Sequence, residues 1–137
     1  MKLTKDDLFY FKALDSAAGI NAKDCLVQDN TISFVVRKKD FGRAIGKNAS
    51  NVKRLKARLK KNVEIFEYCK SVEKFIRRAF YNISIKEINT EERNGKSIVL
   101  LSLDSENRLK LLSNSSKLKR VKQLAVRNYA VNDLRIR

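Results

Sequence analysis

Between Gly42 and Leu55 the chain reads GRAIGKNASNVKRL, two glycines and a short polar loop leading into a basic, helix-forming run. A glycine lets an anion approach the main chain with no Cβ in the way. Amides that open a helix point at negative charge, and the helix dipole adds attraction. Lys47, Lys53 and Arg54 supply counter-charge here, and Asn48 or Asn51 offers hydrogen bonds to phosphate, sugar or base. These residue types therefore suit a phosphate, carried either by a free nucleotide or by a nucleic-acid strand.

The nucleotide alternative fails on spacing. A phosphate loop requires G-x-x-x-x-G-K-[ST], with the last hydroxyl on magnesium. Gly42 and Gly46 are one residue too close, and Asn48 stands where Ser or Thr is needed. The dinucleotide pattern G-x-G-x-x-G is absent. Catalysis is not expected either: the chain contains no histidine, no nucleophile–base pair and no metal-ligand spacing, so neither a cofactor nor a small-molecule substrate is implied. Glu64, Glu67, Glu91 and Glu92 read as solvating carboxylates.

Charge points to a polyanion. The 137 residues carry 31 Lys+Arg against 15 Asp+Glu, a net +16 that costs self-repulsion in a compact chain. The surplus is not spread evenly. Residues 37–61 hold eleven basic residues and only Asp40, and residues 107–137 hold nine and only Asp133, while the two remaining segments are each near neutral. A membrane partner is not expected. The longest apolar runs, Phe34–Val36 and Ile98–Leu101, are strand-sized, and the first residues contain no apolar signal region. Cys25 and Cys69, 44 positions apart, read as buried free thiols in a reducing cytoplasm.

The two basic segments sit in a repeated order of elements. Thr4 is placed to cap a helix with Asp6 and Asp7 in its first turn and Leu8, Phe11, Leu14 and Ala18 on its apolar face; Gly19 ends it. Residues 23–28 and 31–37 read as strands around the turn Asp29-Asn30. A short helix over 40–45, a loop at 46–49, a longer helix over 50–60 and a strand over 63–68 follow, with Val52, Leu55 and Leu59 facing inward. The order then recurs: a helix over 72–80, strands over 83–88 and 97–103 joined by a loop containing Asn94-Gly95, a short helix near 106–111, the polar loop Ser113–Ser116, a basic helix over 117–128 and a last strand over 134–136. The boundary falls near residue 70. Phe9, Tyr10, Phe11, Phe34, Phe41, Phe66 and Phe80 read as core residues, and Tyr129 is left unassigned.

Ile45-Gly46-Lys47-Asn48-Ala49-Ser50-Asn51-Val52 resembles I-G-x-x-G-x-x-[IV], the signature of KH domains, and is flanked by two helices as in that family. There the glycine loop clamps the backbone of about four nucleotides while the bases lie along an apolar groove. The last glycine is replaced by Ala49; if that position needs positive φ, alanine costs about 1 kcal/mol, and if it is helical almost nothing. The helix–strand–strand lead-in corresponds to the type II arrangement. Two such units in tandem are similar to the archaeal NusA-like transcription termination factors, with Asp24–Val27, Phe34–Val36 and Val63–Tyr68 as further matching stretches.

The resemblance implies an α/β (α+β) fold of two tandem type II KH domains, 1–70 and 71–137, each a small three-stranded sheet packed against helices. It implies single-stranded RNA as the partner, held by Gly42, Arg43, Ile45, Gly46, Lys47, Asn48, Ala49, Ser50, Asn51, Lys53 and Arg54. A monomer acting on nascent RNA near RNA polymerase is the expected context, and a ribosome-associated KH protein is the alternative. In the second half Leu112–Leu118 occupies the motif's place without either glycine. Two readings stay open: a scaffold that has lost its clamp, or a weaker contact made by Ser113, Asn114, Ser115, Ser116, Lys117, Lys119 and Arg120.

Overall fold

The computed structural model describes residues 5–137; Thr4, the expected first cap, lies outside the described residues. The chain divides into two compact units, the first ending at Cys69 and the second running Lys70–Arg137. Each is a mixed α+β unit, and the described residues form six α-helices and two three-stranded sheets.

In the first unit α1 (Lys5–Ala18) leads into β1 (Asp24–Gln28) and β2 (Thr31–Arg37), then α2 (Lys38–Ile45), a 3-10 turn (Lys47–Ala49), α3 (Ser50–Leu59) and β3 (Asn62–Tyr68). Gly19, at φ 67°, stops α1 by donating its N–H to the Asp15 carbonyl at 2.7 Å. β1 and β2 form a hairpin with Gln28 opposite Thr31, so the turn is Asp29-Asn30 alone. Both residues take positive φ (53° and 56°), the geometry whose twist matches paired strands and which Asp and Asn tolerate. β2 is the central strand, antiparallel to β1 and parallel to β3. The parallel pairing forces the chain across the sheet between β2 and β3, and the two helices and their turn make that crossing. Ile32, Phe34 and Val36 alternate onto the helix side, where they meet Leu14, Ile20, Ala44 and Leu55, all 0–1% exposed. Each such large side chain removed from water contributes ~1.5–3 kcal/mol. This core fixes where the ends of α2 and α3 lie.

The second unit has the same order: α4 (Val72–Ala79), β4 (Glu87–Arg93), β5 (Lys96–Ser102), α5 (Ser105–Ser113), α6 (Ser115–Asn128) and β6 (Asp133–Ile136). Ser71 caps α4, its Oγ accepting from the Lys74 N–H at 3.2 Å, and Asp104 caps α5 by accepting from the Asn107 N–H at 2.8 Å. That backbone bond, with a second from Asn107 Nδ2 at 3.0 Å, holds the Asp104 carboxyl below its ordinary pKa. Phe75, Ile76, Val99, Leu101, Leu111, Val121, Leu124 and Ala125 form the core, each 0–1% exposed. The Phe75 and Tyr129 rings lie 5.4 Å apart, which gives Tyr129 a packing role. Cys25 and Cys69 are both buried, and neither is in a disulfide.

Two expectations fail. The strand expected at 83–88 lies instead at Glu87–Arg93, and Ile83 and Ile85 precede it. The Asn94-Gly95 turn, with φ 53° and 79°, sets Arg93 opposite Lys96 and so pairs the polar run that precedes it. Turn chemistry fixes the register there, and apolar alternation misplaces the strand. The expected loop at 113–116 is also absent: α5 and α6 meet at Asn114 alone, with φ −111°. Without glycine the segment stays helical up to that single residue. A smaller departure is in α1, where Leu8, expected on the apolar face, is 47% exposed.

Asp133, the lone carboxylate of the second basic segment, opens β6. Lys122 Nζ reaches its Oδ1 at 2.7 Å, Arg135 Nε its Oδ2 at 2.8 Å, and the Leu134 N–H donates to it at 2.8 Å. The Lys122 bond foremost, then Arg135 and Leu134, hold its pKa at about 2, below the ordinary carboxylate value. A depressed carboxylate pKa stabilises the fold above the unfolded value and loses that contribution as pH falls through the folded one. Denaturation of the wild type and Asp133→Asn should therefore differ most between pH 7 and 5, and the difference should close as pH falls from about 4 to about 2.

Candidate nucleic-acid interface

The first unit's helix pair is joined by four residues that only a particular backbone can occupy. α2 ends by donating the Gly46 N–H to the Gly42 carbonyl at 2.9 Å. Gly46 then takes φ 80° and ψ 168°, a region open essentially to glycine alone. Space forbids a side chain as well: a Cβ there would lie 2.6 Å from Ser50 Oγ, 3.0 Å from the Asn51 backbone nitrogen and 3.1 Å from Asn51 Cγ. Gly46 is pressed against the first turn of α3, and its missing side chain is what lets the two helices meet so closely.

After Lys47 the chain turns through two consecutive left-handed residues, Asn48 (φ 54°, ψ 35°) and Ala49 (φ 58°, ψ 30°), and α3 begins at Ser50. The Ala49 N–H donates to the Gly46 carbonyl at 3.1 Å and closes the turn. Position 49, where the motif has its second glycine, thus does require positive φ, and Ala49 bears the strain. Asn48 bears less, because its short polar side chain suits this region.

Lys47, Asn48 and Ser50 are exposed, and Ala49 is half-buried. The turn projects to solvent at the N-terminus of α3, where helix amides and dipole favour an anion. Gly42 and Arg43 are exposed on α2, Ile45 is half-buried, and Lys53 and Arg54 are exposed on α3. Two of the expected residues have structural duties. Asn51 donates its Nδ2 to the Arg43 carbonyl at 2.7 Å, tying α3 to the last turn of α2. Arg43 pairs with Asp40 at 3.2 Å, and its Nη2 lies 3.4 Å from the Gly19 carbonyl. Lys47, Lys53 and Arg54 are exposed around the turn, with exposed Lys56 and Arg58 further along α3.

The corresponding junction in the second unit is built differently. Asn114 donates its N–H to the Leu111 carbonyl and accepts from the Leu118 N–H, both at 3.1 Å, and no residue of the junction takes positive φ. Ser113 Oγ donates to the Lys110 carbonyl at 2.8 Å, and Ser116 Oγ accepts from Arg120 at 3.1 Å. Arg120 corrects an expectation: it is only 8% exposed, its guanidinium turned back along its own helix. Lys117 sits 5.3 Å from the centre of the Phe80 ring. Asn114, Ser115 and Lys119 remain exposed. In place of a glycine cradle this surface presents Leu109 and Leu112, 69% and 49% exposed.

One aromatic was misplaced by sequence reasoning. Phe9, assigned to a core, is 50% exposed beside a groove between α1 and α3. Helical spacing alone gave no sign of this, because Phe9 is one position from a core-compatible stripe. Among the described residues no cluster of three or more carboxylate or thiol side chains is placed to hold a metal ion, and no helix is long and apolar enough to cross a membrane.

This arrangement of sheet, helix pair and glycine turn defines a class. The KH domain family matches residues 7–122, and the chain belongs to that family. Particular relatives carry one name. The chain is 32% identical over 99 residues to a Methanocaldococcus jannaschii protein named "Probable transcription termination protein NusA", covering 72% of this chain and 54% of that one. It is 25% identical over 137 residues to the Methanococcus vannielii protein of the same name, covering 99% and 79%. The chain thus spans about half the length of the first of these relatives. Among solved structures, the crystal structure of APE1850 superposes with a TM-score of 0.86 at 28% identity, over 98% of this chain and 100% of that one.

Two substitutions test the turn. Gly46→Ala should destabilise the first unit by about 2–3 kcal/mol, through φ and through overlap with the α3 backbone. Ala49→Gly should stabilise it by about 1 kcal/mol by relieving the left-handed penalty. Urea denaturation followed by circular dichroism measures both.

Proposed function

We propose that the protein binds single-stranded RNA through the Gly46–Ala49 turn of its first unit and acts on nascent transcripts as a NusA-like transcription termination factor. In this reading residues 1–70 and 71–137 are tandem type II KH domains. The helix–strand–strand lead-in and the mixed sheet of each unit support that arrangement. The observation that carries the proposal is the exposed left-handed turn at the start of a cationic helix, in a chain that belongs to the KH family.

The strand's phosphates lie against the exposed Lys47–Asn48 turn and the first amides of α3, which Gly46 positions by packing against that helix. Lys47, Lys53 and Arg54 neutralise the backbone, and Asn48 and Ser50 hydrogen-bond phosphate or sugar. Gly42, Arg43, Ile45, Ala49 and Asn51 shape the surface, with Asn51 and Arg43 holding the helices that present it. No step of covalent chemistry is involved. The second domain is a scaffold whose clamp is lost, since RNA backbone has no glycine to approach there. Its exposed Asn114, Ser115 and Lys119 add attraction at longer range. The names of the archaeal relatives support the transcriptional role. The protein works as a monomer in the cytoplasm, alongside RNA polymerase.

The double substitution Lys47→Asp with Asn48→Asp should weaken binding to single-stranded RNA at least tenfold, with an unchanged circular dichroism spectrum, because both positions are exposed. Asn114→Asp with Ser115→Asp should weaken it less. Fluorescence anisotropy across a salt series measures both. Equal losses at the two sites would give the second domain a clamp of its own, and affinity indifferent to salt would remove the phosphate contact. Crosslinking to cellular RNA distinguishes nascent transcripts, the expected target, from ribosomal RNA.

A further inference from the structure

A groove apart from the glycine turn runs between α1 and α3 of the first unit, with a volume of about 530 Å³. Lys5, Leu8, Phe9, Lys12 and Ser16 of α1 line one wall, and Arg58 of α3 closes the other. The α1 residues recur at three- and four-residue spacing, so they share one face of the helix. Leu8 and Phe9 are 47% and 50% exposed on that face. Open apolar side chains beside a concavity are the usual mark of a binding surface.

The charge of the groove is one-sided. Among the described residues three cations line it and no carboxylate does, although α1 also carries Asp6, Asp7 and Asp15. Arg58 Nη1 lies 3.4 Å from Ser16 Oγ, which holds the guanidinium against α1. An aromatic ring bracketed by cations is the arrangement that holds unpaired nucleic acid with little regard to sequence, the base on the ring and the phosphates on the cations.

We infer that this groove is a second contact for the same RNA strand, taking a base against Phe9 and adjoining phosphates on Lys5, Lys12 and Arg58. The inference rests on the RNA-binding reading of the glycine turn. α3 links the two places: it starts at Ser50 beside the turn, and Arg58 lies eight residues on, roughly 12 Å along the axis. Arg54 and Arg58, one helical turn apart and both exposed, carry positive charge from one place to the other. Three cations also attract an acidic peptide, but a strand already held at the start of α3 reaches the groove at high effective concentration.

The test compares oligouridylates of four and twelve nucleotides, titrated into the full chain by NMR or anisotropy. Phe9→Ala with Lys12→Glu alters two exposed side chains, and Lys12→Glu alone serves if the pair disturbs the circular dichroism spectrum. The variant should bind the 12-mer about tenfold more weakly than wild type does and the 4-mer equally well. Unchanged affinity for the 12-mer would overturn the groove assignment and leave the turn untouched. If Lys47→Asp with Asn48→Asp weakens neither RNA, the turn reading fails, and with it the claim of one shared strand. A leucine-containing polyglutamate peptide that binds wild type and not the variant, while both RNAs bind the two proteins equally, would assign the groove to a protein and overturn its assignment to RNA.

Discussion

The first unit depends on a contact that exists because an atom is missing. Gly46 approaches the α3 backbone so closely that a Cβ would lie 3.0 Å from the Asn51 nitrogen and 2.6 Å from Ser50 Oγ. That approach sets the spacing of α2 and α3, and the Asn51 bond to the Arg43 carbonyl then holds it. With the helices so placed, the chain can pass between them only through left-handed residues, and Asn48 and Ala49 supply them at some cost. That close approach places the turn at the start of α3, beside the cations Lys47, Lys53 and Arg54. Strain concentrated in an exposed turn on a well-packed scaffold is common where a protein meets a ligand.

Comparing the two units isolates what the glycine does. Both have the same order of helices and the same sheet pairing, and both concentrate positive charge near the helix pair. Only the first has glycine and positive φ at the junction. In the second the helices meet at Asn114, and Leu109 and Leu112 of α5 are exposed. The fold therefore survives loss of the turn, while the surface it offers changes from a polar cradle to an apolar ridge. Both units concentrate positive charge near the helix pair, but only the first presents an exposed left-handed turn at the start of its second helix.

Much of this was legible in the sequence for identifiable reasons. The hairpin turns at Asp29-Asn30 and Asn94-Gly95 are read from residue types that tolerate positive φ, and β2, apolar along most of its length, marks a central strand. The motif around Gly46 is visible because glycine there is a steric necessity. What could not be read were features set by tertiary contact. The polar strand Glu87–Arg93 has no apolar alternation, since its register comes from the turn beyond it. Whether Ala49 was helical or left-handed depended on how near α3 lay. Helical periodicity ranks faces only approximately and so places Phe9 inward, whereas Ala13 and Leu14 are the α1 residues that fill the core. Arg120, charged and expected outward, turns back to Ser116 because its position faces the packed side of α6.

The most direct measurement is the amide spectrum of the ¹⁵N-labelled protein during titration with single-stranded RNA. If the main chain at the glycine turn receives the strand, the amides of Gly46 to Asn51 should shift first and furthest, and those around Asn114 should move little. If the largest shifts fall elsewhere and the Gly46–Asn51 amides stay fixed at saturation, the turn is not where RNA is held.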